Sequence, residues 1–228
     1  MGQGIFITGT DTGVGKTTIT CALATKLRAQ GKNICVMKPF LTGAKSRPND
    51  VDRLIHAAQV SDPLEIVNPY QFEHPLAPQI AATLEGIAID IKKVKSSFDI
   101  LQSRHDILLV EGIGGVMTPI MSKYSIVNLI QYFQIPALVV TRADLGTINH
   151  TLLTINALKE NMIPITALII NYPNLLPPEI EPNTTLSCIK EFTNIPVHVT
   201  VEHIDSLDSE WDEGIHLLAK KIQIENLF

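Results

Sequence analysis

The segment that most constrains the fold covers residues 9 to 17 and contains Gly-Thr-Asp-Thr-Gly-Val-Gly-Lys-Thr. It follows a short apolar run, Ile5–Ile7, which is typical of a β-strand. A strand that enters a Gly-rich loop ending in Lys-Thr predicts a phosphate-binding loop at the start of a helix. In such a loop Lys16 reaches the terminal phosphates, and the hydroxyl of Thr17 can bind Mg²⁺. The sequence therefore predicts a nucleoside triphosphate site.

The predicted loop is one residue longer than its usual form. Four residues normally separate the first glycine from Gly-Lys, which would place that glycine at Thr10. Here the glycine comes one residue earlier, at Gly9. Because the strand and the helix expected on either side are both indicated, we interpret the segment as a variant of the loop. A chance Gly-rich turn is the less favoured reading.

Composition excludes several classes of protein. A chain of 228 residues with 45% hydrophobic and 18% charged residues is typical of a globular domain. The net charge of −5 gives no support to nucleic-acid binding, and no apolar run is long enough for a membrane span. The three cysteines are far apart, which argues against a zinc or iron–sulfur site and fits a reducing compartment. Because the chain starts in a strand, we expect no signal peptide and a cytoplasmic location.

Short apolar, β-branched runs alternate with helical stretches along the chain. The predicted strands are Ile5–Thr8, Asn33–Met37, Asp106–Val110, Ala137–Thr141, Ala167–Ile170 and Val197–Val199. The predicted helices are Lys16–Gln30, Asp50–Ala58, Ser125–Phe133, Gly146–Glu160, Thr184–Thr193 and Glu213–Ile224. Residues 61–80 are rich in proline and are predicted to be largely loop.

This alternation predicts an α/β fold of the P-loop NTPase type, as a single domain over residues 1–228. We expect a doubly wound, mainly parallel sheet with helices on both faces, because uninterrupted Val/Ile/Leu strands suit burial on both sides. Ligands of such sheets bind beyond the carboxyl ends of the strands. Lys38, Glu111 and Asn171 each follow a predicted strand, so they are expected at that edge.

Two residues at this edge suit phosphoryl chemistry with Mg²⁺. Glu111 ends a buried strand, where a carboxylate ligand of the metal would be held. Asp50 or Asp52 could add a second carboxylate, although acids also favour the first turn of a helix for electrostatic reasons. Lys38 precedes Pro39 and should project from the strand end. It is either a second cation for a transferring phosphoryl group or an ordinary surface lysine.

Further segments, taken with the loop, resemble the dethiobiotin synthetase family. They are Lys38-Pro39, Asn68-Pro69-Tyr70, Glu111-Gly112-Ile113-Gly114-Gly115 and Gly146-Thr147-Ile148-Asn149-His150. The longer loop is that family's own variant, and the segments occur in the family's order over most of the chain. The resemblance implies an ATP-dependent ligase of biotin synthesis that uses Mg²⁺. It would convert 7,8-diaminononanoate and CO₂, supplied as bicarbonate, to dethiobiotin, with release of ADP and phosphate.

The resemblance also implies roles for individual residues. Those implied to bind the nucleotide and its metal are Gly13, Val14, Gly15, Lys16, Thr17, Thr18, Asp52, Glu111, Gly112, Gly114 and Asn171. Of these, Thr17, Asp52 and Glu111 would be the Mg²⁺ ligands, and Asn171 would contact the adenine. Lys16, Lys38 and Thr12 would act at the reacting groups. Residues implied to bind the substrate are Thr42, Gly146, Asn149 and His150, the last three from a neighbouring subunit, so a homodimer is expected.

One region departs from the family, and two other functions were weighed. Residues 201–204 are Val-Glu-His-Ile, where the family tends to carry Gly-x-Ile-Pro near the base; His203 is interpreted as a loop histidine. A partitioning or cell-division ATPase would have a lysine where Asp11 stands. A membrane-bound ATPase of that type would also have a basic amphipathic C-terminal helix, unlike residues 214–228. Another amide-forming ligase of this fold would commonly bring a glutaminase domain, for which the chain has no room.

Overall fold

Strands and helices alternate along the chain in a computed structural model that describes residues 2–172, 174 and 184–222. The strands are β1 (Gln3–Gly9), β2 (Ile34–Met37), β3 (Phe40–Thr42), β4 (Tyr70–Phe72), β5 (Ile107–Gly115), β6 (Pro119–Met121), β7 (Tyr124–Ser125), β8 (Ala137–Arg142), β9 (Ile165–Asn171) and β10 (Val197–Val201). The helices are α1 (Lys16–Ala29), α2 (Asp50–Ala58), α3 (Leu64–Val67), α4 (Pro78–Glu85), α5 (Ile91–Arg104), α6 (Ile126–Phe133), α7 (Thr147–Glu160), α8 (Thr184–Phe192), α9 (Ser206–Ser209) and α10 (Trp211–Lys221).

Six strands form one parallel sheet in the order β10-β9-β8-β1-β5-β2. The first strand, β1, is central and pairs with β5 on one side and β8 on the other. Because all six strands are parallel, their carboxyl ends lie at the same edge. Two small sheets stand apart from this one: the parallel pair β3 and β4, and the antiparallel hairpin β6 and β7.

Helices cover both faces of the large sheet, which confirms the predicted doubly wound fold. Along β1, Phe6 faces a core that includes α4 to α8, whereas Ile5 and Ile7 face a core that includes α1, α2 and α10. The first core contains Phe98 stacked on Phe133, with ring centroids 4.2 Å apart. Strands buried on both sides explain why the sequence shows continuous apolar runs rather than alternation.

The structure differs from the sequence prediction in several places, and β3, β6, β7 and α9 were not predicted. Strand β5 continues past Val110 to Gly115, because the glycine-rich stretch pairs with the end of β1. Residues 61–80 hold more regular structure than predicted, namely α3, β4 and the start of α4. Their prolines mark helix starts, with Pro63 as the N-cap of α3 and Pro78 as the first residue of α4. Helix α5 was not predicted, and residues 223–224 of the last predicted helix lie outside the described residues.

Polar side chains also meet at the amino end of the sheet, away from the predicted site. Asp62 contacts Nη1 of Arg104 through Oδ1 and Nε2 of His105 through Oδ2, each at 2.7 Å. The thiol of Cys35 lies 4.0 Å from the same Oδ2, and burial raises its pKa to about 12. Cys, Asp and His can bind metals, but both oxygens of this carboxylate already have cationic or imidazole partners. We therefore interpret the group as an ion-pair cluster that joins the segment after α2 to the end of α5.

Among the described residues, no helix is both long enough and apolar enough to cross a membrane.

Candidate functional site

A cavity of about 310 Å³ lies at the carboxyl edge of the large sheet. It is bounded by the loop after β1, the residues after β2 and the end of β5. The lining residues are Thr12, Gly13, Gly15, Lys16, Thr17, Lys38, Leu41, Thr42, Asp50, Ile113 and Gly114. Most of them come from the segments that the sequence marked as functional, although those segments are far apart along the chain. The parallel sheet brings them together by placing the strand ends side by side.

The loop between β1 and α1 has the geometry of an anion site. Gly13 and Gly15 have φ values of 68° and 96°, in the left-handed region that favours glycine. Gly15 is the N-cap of α1, and no side chain caps this helix end. The N–H groups of the first turn therefore face outward to bind a phosphate, aided by the helix dipole.

Lys16 lies in the cavity and is held by neutral groups. Its Nζ atom donates to the carbonyl oxygens of Asp11 and Gly114, both at 2.8 Å. Burial, and then the charge of Lys38, lower the pKa of Lys16 to about 8, although nearby carboxylates act in the opposite direction. An ammonium that is poorly solvated and bonded only to carbonyl groups would gain strongly from an anionic ligand. This arrangement suits a triphosphate.

Lys38 is buried and faces two carboxylates, so it is not a surface lysine. Its Nζ atom donates to Oε1 of Glu111 at 2.5 Å and to Oδ2 of Asp50 at 2.9 Å. Burial alone would lower its pKa, but these two carboxylates outweigh burial and raise it. The backbone is also fixed: its N–H donates to Val67, and its carbonyl accepts from the side chain of Asn68. Lys38 is therefore charged and its main chain is held in place.

Glu111 is wholly buried at the centre of this group. Its Oε1 atom also accepts a hydrogen bond from the Thr17 hydroxyl at 2.8 Å. Its Oε2 atom is buried and has no hydrogen-bond partner among the described residues. Two carboxylates, one of them with an unpartnered oxygen, and a hydroxyl form a donor set of the kind that Mg²⁺ prefers. The Lys38 ammonium already lies between the two carboxylates, which shows that this position attracts positive charge. The residues Thr17, Asp50 and Glu111 therefore fit a metal cation.

The structure does not bring Asp52 to this group, and its role as a metal ligand stays a prediction. Its Oδ2 atom accepts from the backbone N–H of Asn49 at 2.9 Å, and Asn49 accepts in return from the N–H of Asp52 at 3.1 Å. This reciprocal capping box fixes the start of α2. The other oxygen pairs with Arg47. The Asp52 carboxylate is therefore engaged in the helix start, whereas Asp50 points to Lys38 and lines the cavity.

The residues predicted to bind the substrate, together with Thr12, which was predicted to act at the reacting groups, fall into two groups. Thr12 and Thr42 line the cavity, next to Leu41 and Ile113, which the sequence reasoning did not single out. Gly146, Asn149 and His150 are exposed at the start of α7 and do not line it. Gly146 is an N-cap with a φ of 93°, and no side chain caps α7, so the helix end could bind an anion.

Threonine hydroxyl groups connect the start of α7 to the phosphate loop. The hydroxyl of Thr141, at the end of β8, lies 2.8 Å from that of Thr147 and 3.0 Å from that of Thr151. It also lies 3.1 Å from the hydroxyl of Thr10, in the loop after β1. The sequence reasoning missed this chain of contacts, because only the fold brings the four threonines together.

The remaining predicted residues lie around the loop, and of those described here Gly114 also lines the cavity. The side chain of Asn171 donates to the carbonyl of Val14 at 3.1 Å, so it lies against the loop, and its contact with adenine stays a prediction. Gly112 has no room for a side chain, since a Cβ atom there would lie 2.7 Å from the ring of Phe6. Gly114 supplies the carbonyl that holds Lys16. Thr18 lies in the first turn of α1, beside Thr17.

Comparison with known sequences places the chain in a family. The family described as an AAA domain matches residues 3–211. The chain is 36% identical to the ATP-dependent dethiobiotin synthetase of Thermodesulfovibrio yellowstonii over 222 residues, 92% of each chain. It is 35% identical to that of Bacillus velezensis, over 98% of this chain and 96% of the relative. With that of an Anaeromyxobacter species it shares 44% identity, over 74% and 76% of the two chains.

Solved structures with a similar fold are more distant in sequence. The MinC:MinD cell division protein complex of Aquifex aeolicus aligns with a TM-score of 0.59 at 15% identity, covering 96% of this chain and 95% of that one. The septum site-determining protein MinD of Pyrococcus horikoshii, complexed with Mg-ADP, aligns with a TM-score of 0.56 at 17% identity, covering 99% and 90%. At these identities the likeness shows a shared fold alone.

Proposed function

This chain belongs to the dethiobiotin synthetase family, and we propose that its cavity carries out the reaction of that family with the residues described above. The enzyme is an ATP-dependent cyclo-ligase: it converts 7,8-diaminononanoate and CO₂ to dethiobiotin, with ATP giving ADP and phosphate. CO₂ forms a carbamate on one amine, ATP phosphorylates the carbamate, and the second amine closes the cyclic urea as phosphate leaves. The observation that best supports this assignment to the cavity is the pair of buried lysines that converge beside the phosphate loop.

Such chemistry depends on position and charge more than on a nucleophilic side chain. Lys16 and the free N–H groups of α1 would hold the phosphates, as the loop geometry suggests. Lys38 enters the cavity from another strand, so the two ammonium groups could contact the transferring phosphoryl group from different sides. We propose that they stabilise the charge that develops there, while Thr12 and Thr42 line the acceptor side.

We propose that Thr17, Asp50 and Glu111 hold the Mg²⁺ that accompanies ATP, with Asp50 in the place predicted for Asp52. This assignment is supported by the ammonium between the two carboxylates and by the unpartnered Oε2 atom of Glu111. Bound Mg²⁺ would neutralise phosphate charge during transfer. The wholly buried Glu111 would supply a fixed charge at the base of the site.

We further propose a homodimer in which the start of α7 completes the substrate site of the neighbouring subunit. Gly146, Asn149 and His150 are exposed and lie outside the cavity of their own chain, which supports a role in another subunit. Leu145 and Leu153, beside them, are exposed apolar side chains that a partner could cover. A cytoplasmic location is proposed as well, since Cys21 and Cys35 are free thiols.

The test of the function is phosphate release that depends on the diamine. The pure protein is incubated with ATP, Mg²⁺, bicarbonate and 7,8-diaminononanoate, and phosphate and dethiobiotin are both measured. We expect Lys16→Ala and Lys38→Ala to lose nearly all activity. Lys32→Ala is the matched control, because this exposed lysine lies at the other end of the sheet. Phosphate release that is indifferent to the diamine would contradict the proposal and favour a regulatory ATPase.

The metal assignment is tested by comparing variants of Asp50 and Asp52, both on α2, with a variant of Glu111. Asp50→Asn should raise the Mg²⁺ concentration needed for half-maximal activity, and Glu111→Gln should do the same. Asp52→Asn should leave this requirement unchanged, because its carboxylate only caps α2 and pairs with Arg47. A raised Mg²⁺ requirement in Asp52→Asn, with none in Asp50→Asn, would restore the original prediction.

A further inference from the structure

The Lys38 ammonium lies at the point where the candidate metal ligands converge. It contacts Glu111 at 2.5 Å and Asp50 at 2.9 Å, and Glu111 uses the same Oε1 atom to accept from the Thr17 hydroxyl. A cation that bound Thr17 and either oxygen of the Glu111 carboxylate would lie within a few ångströms of this ammonium, even if it used the unpartnered Oε2 atom. The side chain that is proposed to act on the phosphoryl group thus lies directly beside the position that the metal requires.

We infer that Lys38 and the divalent cation compete for the carboxylates of Asp50 and Glu111, so that loading of the metal releases Lys38 into the cavity. The inference rests on the proposed function, since it describes how the same site is regulated. It assigns Lys38 two alternative partners: the carboxylates before the metal binds, and the phosphate oxygens afterwards.

Electrostatics makes the two states exclusive. A divalent cation and an ammonium a few ångströms apart repel each other strongly inside a protein, where screening is weaker than in water. Glu111 is wholly buried, so water cannot screen this repulsion well. Metal binding to these oxygens therefore requires Lys38 to leave.

The structure confines that movement to the side chain. The backbone of Lys38 is held by Val67 and Asn68 and is followed by Pro39, whose ring fixes its own φ. The side chain has a flexible four-carbon stem, and Lys38 itself lines the cavity into which it would turn. The exchange needs no rearrangement of the sheet.

The competition predicts how metal affinity depends on nucleotide. Without a nucleotide, no phosphate is present for Lys38 to contact. A divalent cation must then break the contacts of Lys38 with Asp50 and Glu111 without any replacement, so it binds weakly. A triphosphate offers the ammonium new partners and brings its own oxygens to the metal. Lys38 would then face the phosphoryl group only when the metal is in place, which would guard against phosphoryl transfer from nucleotide alone.

The test is binding of Mn²⁺ without nucleotide, followed by electron paramagnetic resonance. We expect Lys38→Met to bind Mn²⁺ at least about tenfold more tightly than the wild type, a change of about 1.4 kcal/mol that is modest beside the repulsion between close charges. Lys38→Arg keeps the positive charge and should bind as weakly as the wild type. Unchanged or weaker binding by Lys38→Met would overturn the inference.

Two control variants separate local competition from the general charge of the cavity. Lys16→Met removes another buried ammonium, whose hydrogen bonds among the described residues are to carbonyl oxygens, so its gain in Mn²⁺ affinity should be much smaller. Lys32→Met removes an exposed charge far from the site and should show no gain. A gain in Lys16→Met equal to that in Lys38→Met would refute direct competition.

A measurement on the wild type covers the case in which Lys38→Met does not fold, which circular dichroism would reveal. Nitrogen-15 NMR of the lysine ammonium groups should show the Lys38 signal move when Mg²⁺ saturates the protein, while the Lys32 signal stays in place. A Lys38 signal that does not move at saturating Mg²⁺ would overturn the inference. Diamine-dependent activity of the wild type is measured separately, and its absence would contradict the proposed function. Absence of competition between Lys38 and the metal would contradict only this further inference.

Discussion

The lowered pKa of Lys16 predicts that nucleotide affinity falls at an unusually low pH for a lysine-dependent site. A phosphate binds the charged ammonium, and an ordinary lysine stays charged until its pKa near 10.5. Burial and the charge of Lys38 lower the pKa of Lys16 to about 8, so its charge begins to disappear much earlier. Lys38 has a raised pKa and keeps its charge over the same range. The titration should therefore report Lys16.

The magnitude follows from the fraction of Lys16 that remains charged. At about pH 9, one unit above its pKa, about a tenth of the side chain is protonated, so affinity should be about tenfold weaker, or about 1.4 kcal/mol. With an unshifted pKa, nearly all of it would still be charged and affinity would hardly change. The same pKa shift also affects stability, in the opposite direction. Between about pH 8 and 10.5 the folded protein has lost the Lys16 proton while the unfolded chain still binds it. The contribution of Lys16 to the free energy of unfolding therefore rises with pH over this range.

The assay is calorimetric titration with a non-hydrolysable ATP analogue without divalent cations, so that Lys38 keeps its carboxylate partners, between about pH 7 and about pH 9.5, where the terminal phosphate is already ionised. Lys16→Arg is the control, since its guanidinium keeps its charge and its affinity should not fall. Lys38→Met removes a cause of the lowered pKa and should move the fall to higher pH. Constant wild-type affinity over this range, or the same fall in Lys16→Arg, would refute the reasoning.

Two further predictions concern packing. Phe98→Ala should lower the free energy of unfolding by about 3 to 5 kcal/mol in a urea titration, because its ring stacks on Phe133 in the core, whereas exposed Phe192→Ala should change it by less than about 0.5 kcal/mol. Gly15→Ala should abolish nucleotide binding and destabilise the protein, since a Cβ atom there would lie 2.3 Å from Nδ2 of Asn171 and φ is 96°; wild-type affinity in this variant would show that the loop adapts.

The central sheet could be predicted because each of its strands is a short apolar run bounded by loop or helix signals. Helix Asp50–Ala58 was predicted with its observed bounds. The end of β5 was not, because Gly-rich residues usually signal a turn, and only pairing with β1 shows that the strand continues to Gly115. Helix α5 had a recognisable signal that was not used: Val94, Phe98 and Leu101 recur at helical spacing and are all buried.

The candidate site could be predicted only where a local motif carries the chemistry. The loop, Lys38 and Glu111 each follow a predicted strand, and the rule for parallel sheets places them at one edge. No local rule indicates that Lys38 lies between two carboxylates, or that the hydroxyls of Thr10 and Thr141 meet. These contacts join residues far apart in the chain, and they depend on strand order and helix orientation.

The choice between Asp50 and Asp52 shows how a local signal can resolve a functional ambiguity. Both acids lie in the first turn of α2, so their electrostatic preference for a helix start does not distinguish them. Asn49 followed three residues later by an acid is, however, the spacing of a capping box. In that arrangement the acid must turn back to the N–H of Asn49, and it does so at 2.9 Å. Both oxygens of Asp52 are thus engaged, one by Asn49 and one by Arg47, so the capping signal favours Asp50 as the acid that faces the cavity.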